Sequence, residues 1–200
     1  MREIVLDGKS MTIEDIMSIG IIPTKISISE SARKLMARSR EHVESILESD
    51  DSVYGINTGF GSLSNVKIES SELQQLQRNL ILSHACGIGP AMNPITSLRM
   101  LAIRANSLTM GVSGIRPEVV DTMLDLVNSG YAPTIPSVGS LGASGDLAPL
   151  AHMAMSLIGE GEFMHRKGTE WVEIQAKTVF ENIGREPIIL SAKEGLSLIN

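Results

Sequence analysis

Apolar residues recur every three or four positions along most of the chain, which is the spacing expected for one buried face of an α-helix. The clearest case follows Ser27 and Glu30, which have capping-box spacing, and its apolar positions run from Ile28 to Leu47. Further helices are predicted over residues 12–18, 70–85, 94–109, 117–128, 147–158, 175–182 and 193–200.

Strands and loops are predicted where this helical spacing fails. Residues 3–6, followed by Asp7-Gly8, predict a short strand and turn, and Lys167-Gly168 predicts the turn of a hairpin. Glycines interrupt residues 52–64, and prolines and glycines interrupt residues 131–142, so both segments are predicted as long ordered loops. We therefore expect a mainly helical fold with a small β-hairpin, built as one continuous unit over residues 1–200.

Composition supports a helical protein and argues against several classes of function. Hydrophobic residues make up 42% of the chain and aromatic residues only 3%, and Leu, Ile, Met and Ala favour helices. The 17 basic and 23 acidic residues are scattered and give a net charge of −6, so we expect no nucleic-acid partner. No apolar run approaches the ~20 residues of a membrane helix, and the single cysteine, Cys86, excludes an intrachain disulfide framework. Together with the lack of a signal-peptide pattern, these features predict a cytoplasmic protein without a membrane partner.

The segment GSLGASGDLAPLAHM places a serine between a small residue and a glycine, just before a predicted helix. In one interpretation, Ser144 or Asp146 caps the helix and the glycines only form turns. In a second, the amides at the helix start bind an anion, although the lysine of a P-loop and the spacing of a dinucleotide site are missing. In a third, the loop makes its own electrophile.

The third interpretation gives each residue of the tripeptide a chemical task. The Gly145 nitrogen attacks the Ala143 carbonyl, and loss of water from the ring and from the Ser144 hydroxyl leaves an exocyclic methylidene. Ala143 keeps the carbonyl sterically open, and Gly145 permits the compressed backbone that ring closure requires. An Ala-Ser-Gly tripeptide nevertheless occurs by chance in roughly one chain in ten of this size, so it decides nothing alone.

Five longer motifs resemble the aromatic amino acid ammonia-lyase and aminomutase family and stand in the family's order. They are VYGINTGFGSL, NLILSHACGIG, NSLTMGVSGIRPEVVD, GSLGASGDLAPLAHM and AKEGLSLIN. The resemblance covers nearly the whole chain and implies the N-terminal, cofactor-loop part of the helical ammonia-lyase fold. It also implies that Ala143, Ser144 and Gly145 form a 4-methylidene-imidazol-5-one cofactor.

Ammonia elimination from an amino acid removes a weakly acidic β-proton and expels a poor leaving group, so it needs a base and an electron sink. The resemblance implies that Tyr54 is the base, which requires a pKa below the usual ~10. It implies that His84 faces the substrate side chain, and the Ser-His pair is similar to that of the histidine-specific branch. The implied reaction converts L-histidine to trans-urocanate and ammonia. Without the motifs, Tyr54 fits a half-buried loop aromatic and His84 fits a C-terminal helix cap.

Two further residues are implied to support the cofactor loop. Asn200 matches a family asparagine that hydrogen-bonds near the loop. Asp146 either orients the loop amides or complements the positive end of the following helix. His42, His152 and His165 lack metal-ligand spacing, so we expect no metal site.

The chain is shorter than the family's chains and ends where the central long-helix bundle should begin, near residue 192. The resemblance implies a homotetramer whose active sites combine several subunits and use residues beyond Asn200. We therefore expect the 200-residue chain alone to be inactive and its loop to be uncyclised. Two alternatives stay open: a tyrosine or phenylalanine ammonia-lyase or aminomutase, and a truncated domain that only packs or assembles.

Overall fold

Helices are the main type of secondary structure in the computed structural model, which describes residues 1–49, 51–139 and 145–200. The helices are, in chain order, α1 (Ile13–Ser18), α2 (Glu30–Glu48), α3 (Leu73–His84), α4 (Pro94–Leu108), α5 (Pro117–Asn128), α6 (Leu147–Leu157), α7 (Ala176–Ile183) and α8 (Glu194–Ile199). The expectation of a mainly helical fold is confirmed. Proline begins α4 and α5 because the first helical turn needs no backbone N–H from it.

Short strands connect the helices and pair in three small sheets within the described residues. The strands are β1 (Arg2–Leu6), β2 (Thr24–Ile28), β3 (Ile88–Ala91), β4 (Tyr131–Pro133), β5 (Pro136–Val138), β6 (Glu162–Lys167) and β7 (Glu170–Gln175). β1 and β2 pair in parallel and β3 pairs with β5 antiparallel, whereas β4, β6 and β7 form an antiparallel sheet in that order. The predicted hairpin is therefore present as β6 and β7.

The capping box predicted from Ser27 and Glu30 is wrong. Ser27 lies in β2, where it pairs with Val5 of β1. Ser29 is the actual N-cap of α2, because its hydroxyl accepts a hydrogen bond from the Ala32 N–H at 3.1 Å. Local spacing could not separate the two serines, since the choice depends on a parallel strand more than twenty residues away.

The prediction of a continuous loop over residues 131–142 is also wrong in part. Tyr131–Pro133 forms β4, all of which is buried, and Pro136–Val138 forms β5. β4 is one of the two edge strands of its sheet, a position that tolerates a proline because the missing N–H disrupts no interior ladder. Residues 140–142 lie outside the described residues.

The hydrophobic core is centred on α4 and α5, which pack against each other and against β4. Leu101, Ala102 and Ala105 of α4 are fully buried, and the two alanines allow close approach of neighbouring elements. A second group consists of α3, α6 and α8, each of which packs against the other two. None of the helices in the described part of the chain is long and apolar enough to cross a membrane.

Candidate active site

A cavity of about 460 Å³ lies where the end of α3, the start of α6 and the end of α8 meet the loop of residues 52–64. Tyr54, His84 and Asn200, which the sequence singled out, line it together. The rest of its lining is mainly apolar and consists of Phe60, Gly61, Leu80, Leu147, Leu196 and Ile199. The fold thus gathers three polar groups from distant parts of the chain around one space.

Tyr54 lies in a turn that is stabilised by the side chain of Asn57 and by close packing of Gly55 against α8. The buried Asn57 side chain accepts a hydrogen bond from the Val53 N–H and donates one to the Asp51 carbonyl, both at 2.8 Å. Gly55 has φ +75°, and a Cβ there would lie 2.5 Å from Leu196 of α8, so both the turn and the close packing require glycine.

The Tyr54 ring contacts Phe60 edge to face, with ring centroids 6.0 Å apart and the planes at 84°. Such aromatic pairs are favourable beyond the area they bury. Tyr54 is nevertheless 57% exposed, so much of the side chain is free to meet a molecule in the cavity. The contact with Phe60 therefore helps to position the ring while more than half of the residue remains exposed.

His84 is the last residue of α3, and its ring is oriented by the helix backbone. Nδ1 lies 2.8 Å from the Leu80 carbonyl oxygen and 3.2 Å from the Ser83 hydroxyl. Because a carbonyl oxygen can only accept, the bond to Leu80 requires the proton on Nδ1. In the neutral ring, Nε2 is then a hydrogen-bond acceptor on a side chain that lines the cavity.

Asn200 follows α8 and is anchored through its backbone. Its N–H donates to the Leu196 carbonyl at 3.0 Å, and its own carbonyl accepts from Arg104 Nη2 at 2.5 Å. Arg104 Nη2 also donates to the Ser197 carbonyl. Arg104 therefore supplies positive charge at the carbonyl end of α8, where the helix dipole favours it, although burial lowers the pKa of its guanidinium.

Ala143 and Ser144, the first two residues of the proposed cofactor tripeptide, lie outside the described residues. Gly145 is described, and its φ of +95° is a conformation that favours glycine. Asp146 occupies the N-cap position of α6 and is exposed, but its side chain caps no amide of that helix. Leu147, the next residue, lines the cavity, so the chain reaches the cavity directly after the tripeptide.

His152, to which the sequence assigned no chemistry, has a structural role on α6, the helix whose first residue lines the cavity. It is buried on α6, and its Nε2 accepts a hydrogen bond from the Gly87 N–H at 3.0 Å. Burial lowers the pKa of His152 below its usual value of 6.5, which keeps the ring in the neutral form that can accept this bond. His152 therefore ties α6 to the segment that follows α3.

The apolar residues of the cavity wall, and Gln77 on α3, were not predicted from the sequence as part of the site. Leu80, Leu147 and Leu196 carry no chemical signature, because apolar residues at helical spacing are equally typical of a core. A usable signal was present at Gln77, a polar residue on the buried face of α3. A buried polar side chain among apolar neighbours needs a hydrogen-bonding explanation.

Known proteins resemble this chain over nearly its whole length. The family model described as aromatic amino acid lyase matches residues 11–200. The histidine ammonia-lyase of Shouchella clausii is 47% identical over 197 residues, which is 98% of this chain and 39% of that protein. The chain therefore spans about two fifths of the length of this curated relative.

Two solved structures have the same fold over nearly the whole chain. Histidine ammonia-lyase from Trypanosoma cruzi superimposes with a TM-score of 0.88 at 38% identity, covering 99% of this chain and 37% of that one. Ergothionase from Treponema denticola, an ergothioneine-degrading enzyme, superimposes with a TM-score of 0.90 at 28% identity, covering 98% of this chain and 39% of that one. With the family match over residues 11–200, these likenesses show that the chain belongs to the aromatic amino acid lyase family.

Proposed function

We propose that the chain is the N-terminal, cofactor-loop portion of a histidine ammonia-lyase, which converts L-histidine to trans-urocanate and ammonia. The observation that carries the proposal is the cavity shared by Tyr54, His84 and Asn200 at the start of the helix that follows residues 143–145. Membership of the aromatic amino acid lyase family and the likeness to histidine ammonia-lyases support it.

In this proposal Tyr54 is the base that removes the β-proton of the substrate. Its support is the ring's position in the cavity, packed against Phe60 with the side chain 57% exposed. A phenolate is a strong enough base for a weakly acidic C–H.

His84 is proposed to bind the substrate side chain through Nε2. With Nδ1 committed to the Leu80 carbonyl, Nε2 accepts a hydrogen bond, and the imidazole of L-histidine carries an N–H that can donate it. The phenyl ring of L-phenylalanine has no such donor, whereas the phenol of L-tyrosine does. The orientation of His84 therefore favours L-histidine or L-tyrosine over L-phenylalanine, and the relatives named histidine ammonia-lyase favour L-histidine.

The cofactor is proposed to form from Ala143, Ser144 and Gly145 with the loss of two waters. Its fit to the described residues rests on Gly145, whose φ of +95° is open to glycine and which lies two residues before Leu147 in the cavity lining. When formed, a methylidene-imidazolone supplies an electron sink for amine elimination. Asn200 and Asp146 are proposed to support the loop, Asn200 from the cavity wall and Asp146 from the N-cap of α6.

The complete enzyme is proposed to be a cytoplasmic homotetramer in which the central long-helix bundle begins near residue 192. Its active sites would combine this chain's cavity with residues from the remaining sequence and from other subunits. The length of the relatives, of which this chain spans 39%, supports the contribution from the remaining sequence. Light scattering on the protein encoded by the full reading frame measures the oligomeric state, and a monomer would contradict this part of the proposal.

The decisive experiment is a turnover assay on the protein encoded by the full reading frame. We expect urocanate absorbance to rise with L-histidine and much less product from L-tyrosine, L-phenylalanine or ergothioneine. The 200-residue chain assayed in parallel should be inactive. Preference for another substrate, or a β-amino acid product, would assign the protein to another branch of the family, and no turnover of any substrate would favour a domain that only assembles.

Cofactor formation is tested separately by peptide mass spectrometry across residues 143–145. The full-length protein should lack two waters in this peptide, whereas its Ser144→Ala variant should retain a normal peptide mass because the eliminated hydroxyl is gone. The 200-residue chain should also have the normal mass, since ring closure requires compression by the complete fold. A full-length, active protein with an unmodified tripeptide would contradict the proposed cofactor.

A further inference from the structure

Gln77 is a fully buried polar side chain on α3, three residues before Leu80 and seven before His84 on the same helix face. Its side-chain oxygen accepts hydrogen bonds from the N–H groups of Gly195 at 2.9 Å and Leu196 at 3.4 Å. These amides belong to the first turn of α8, where helical N–H groups have no intrahelical partner. Gln77 therefore caps α8 from a different helix.

The residue at the N-cap position of α8 does not cap the helix with its own side chain. Lys193 occupies the N-cap position with φ +70°, and its side chain caps none of the helix amides. Its ammonium group instead donates to the Ser113 carbonyl at 2.8 Å. The capping oxygen thus comes from a residue 118 positions away in the sequence.

The contact between α3 and α8 is as close as the backbones allow. A Cβ at Gly195 would lie 2.9 Å from both the backbone oxygen and the side-chain oxygen of Gln77, so any larger residue would separate the helices. The orientation of the Gln77 amide follows from the same geometry, because only its oxygen can face two N–H groups. Its Nε2 is buried and has no hydrogen-bond partner among the described residues, which is unfavourable for a residue that served packing alone.

Gln77 and Gly195 lie on the two helices, α3 and α8, that contribute residues to the cavity lining. Along α3, Gln77 is followed by Leu80 and His84, and along α8, Gly195 is followed by Leu196 and Asn200, all of which line the cavity. A change in the spacing of the helices at the contact of Gln77 with Gly195 therefore changes the relative positions of His84 and Asn200, which line the cavity at the ends of the two helices.

We propose that Gln77 is a positioning residue that holds α8 against α3 and so sets the separation of His84 and Asn200 across the cavity. Its kinetic consequence rests on the proposed lyase function, but its effect on α8 does not. The substitution Gln77→Met keeps the size of the side chain and removes the acceptor, whereas Gln77→Glu keeps an oxygen facing the two amides. Gln75→Met is the matched control, because Gln75 is exposed on the same helix and bonds only to Asn79 among the described residues.

The first measurement is amide hydrogen exchange of residues 194–200 in the protein encoded by the full reading frame. Gln77→Met should speed exchange at Gly195 and Leu196 about tenfold, the effect of losing one typical hydrogen bond. Gln77→Glu and Gln75→Met should stay within about threefold of the parent protein. Unchanged exchange in Gln77→Met would overturn the proposal whether or not the protein is a lyase.

The second measurement is steady-state turnover of L-histidine by the same variants. Gln77→Met should raise KM about tenfold, because the cavity beside the proposed substrate-binding residue His84 changes shape when α8 shifts. It should lower kcat less, because Tyr54 belongs to neither helix and keeps its ring contact with Phe60. Gln77→Glu should recover most of the parent KM. Gly195→Ala adds a Cβ that would separate α3 from α8 and should also raise KM. This variant tests the proposal if Gln77→Met does not fold.

Two kinetic results distinguish failure of the positioning role of Gln77 from failure of the proposed lyase function. Faster exchange in α8 with KM and kcat unchanged in Gln77→Met would show that Gln77 holds the helix without positioning the site, and would overturn the proposal. If the parent protein turns over no L-histidine, the proposed function fails, and the exchange experiment still decides whether Gln77 holds α8.

Discussion

The imidazole of His84 is oriented by the carbonyl of Leu80, one turn earlier on α3, through a 2.8 Å hydrogen bond to Nδ1. In the neutral ring this bond leaves Nε2 as the hydrogen-bond acceptor, a property that depends on the helix backbone as much as on the histidine itself. It gives the clearest basis for substrate choice in the proposed enzyme.

Replacing His84 with leucine should reduce the preference for L-histidine over L-phenylalanine by about tenfold to a hundredfold, because the acceptor for the substrate N–H is lost. The ratio of kcat/KM for the two amino acids measures the effect in the protein encoded by the full reading frame. His42→Leu, an exposed histidine on α2, is the control and should leave the ratio unchanged. A His84→Leu variant with the parent preference would contradict the proposed role.

Replacing Tyr54 with phenylalanine should lower kcat by about 10²–10⁴, the usual contribution of a general base, with a smaller change in KM. The ring contact with Phe60 is preserved, so the loop should keep its conformation. Tyr131→Phe is the control, since the Tyr131 hydroxyl accepts a hydrogen bond from Asn182 outside the cavity. Equal losses of kcat in the two variants would indicate a general effect of removing a tyrosine hydroxyl.

The ion pair of Arg116 and Glu194 should contribute strongly to the stability of the α8 attachment. Glu194 is 0% exposed and accepts hydrogen bonds from Arg116 Nε and Nη2, both at 2.7 Å. Arg116→Met leaves a buried carboxylate without its cation and should lower the free energy of unfolding by about 3 kcal/mol in urea denaturation.

The control for this experiment is Lys34→Met, which removes an exposed ion pair with Glu30 on α2. Exposed pairs one helical turn apart contribute little, so the free energy of unfolding should change by less than about 0.5 kcal/mol. If the free energy of unfolding changed by a similar amount in both variants, the buried ion pair of Glu194 would stabilise the protein no more than the exposed pair does.

The stability of the protein should fall as the pH is lowered through about 6.5, in part because of His152. Its pKa is lowered by burial from the usual 6.5, so the unfolded chain binds a proton at a higher pH than the folded protein does. The stabilising contribution of the neutral ring is therefore complete above pH 6.5 and is lost as the pH falls toward the lowered pKa.

Urea denaturation at several values between about pH 8 and pH 5 measures this dependence. The His152→Gln variant is the comparison, because its amide oxygen can accept the Gly87 N–H but does not titrate in this range. The difference in stability between the parent and this variant should shift against the parent as the pH falls. A difference that is independent of pH would contradict the assignment to His152.

The sequence alone predicted the elements that depend on local signals. The Pro117–Asn128 helix has the predicted bounds because proline marks its start, and its apolar positions follow a helical period. The β6 and β7 hairpin was likewise predicted from the turn at Lys167-Gly168. Tyr54, His84 and the proposed cofactor tripeptide were singled out only through long motifs that resemble a family, because a single tyrosine or histidine is chemically unspecific.

The tertiary structure decided the features that depend on partners distant in the sequence. The segment around Ser27 is a strand because it pairs with β1, and Ser29 is therefore the N-cap of α2. The contact of Gln77 with Gly195 joins residues 118 positions apart, and local spacing contains no information about such a pair. Hydrophobic periodicity determines which face of each helix is buried. The cavity depends on which of these faces pack against each other, and only the tertiary structure decides that.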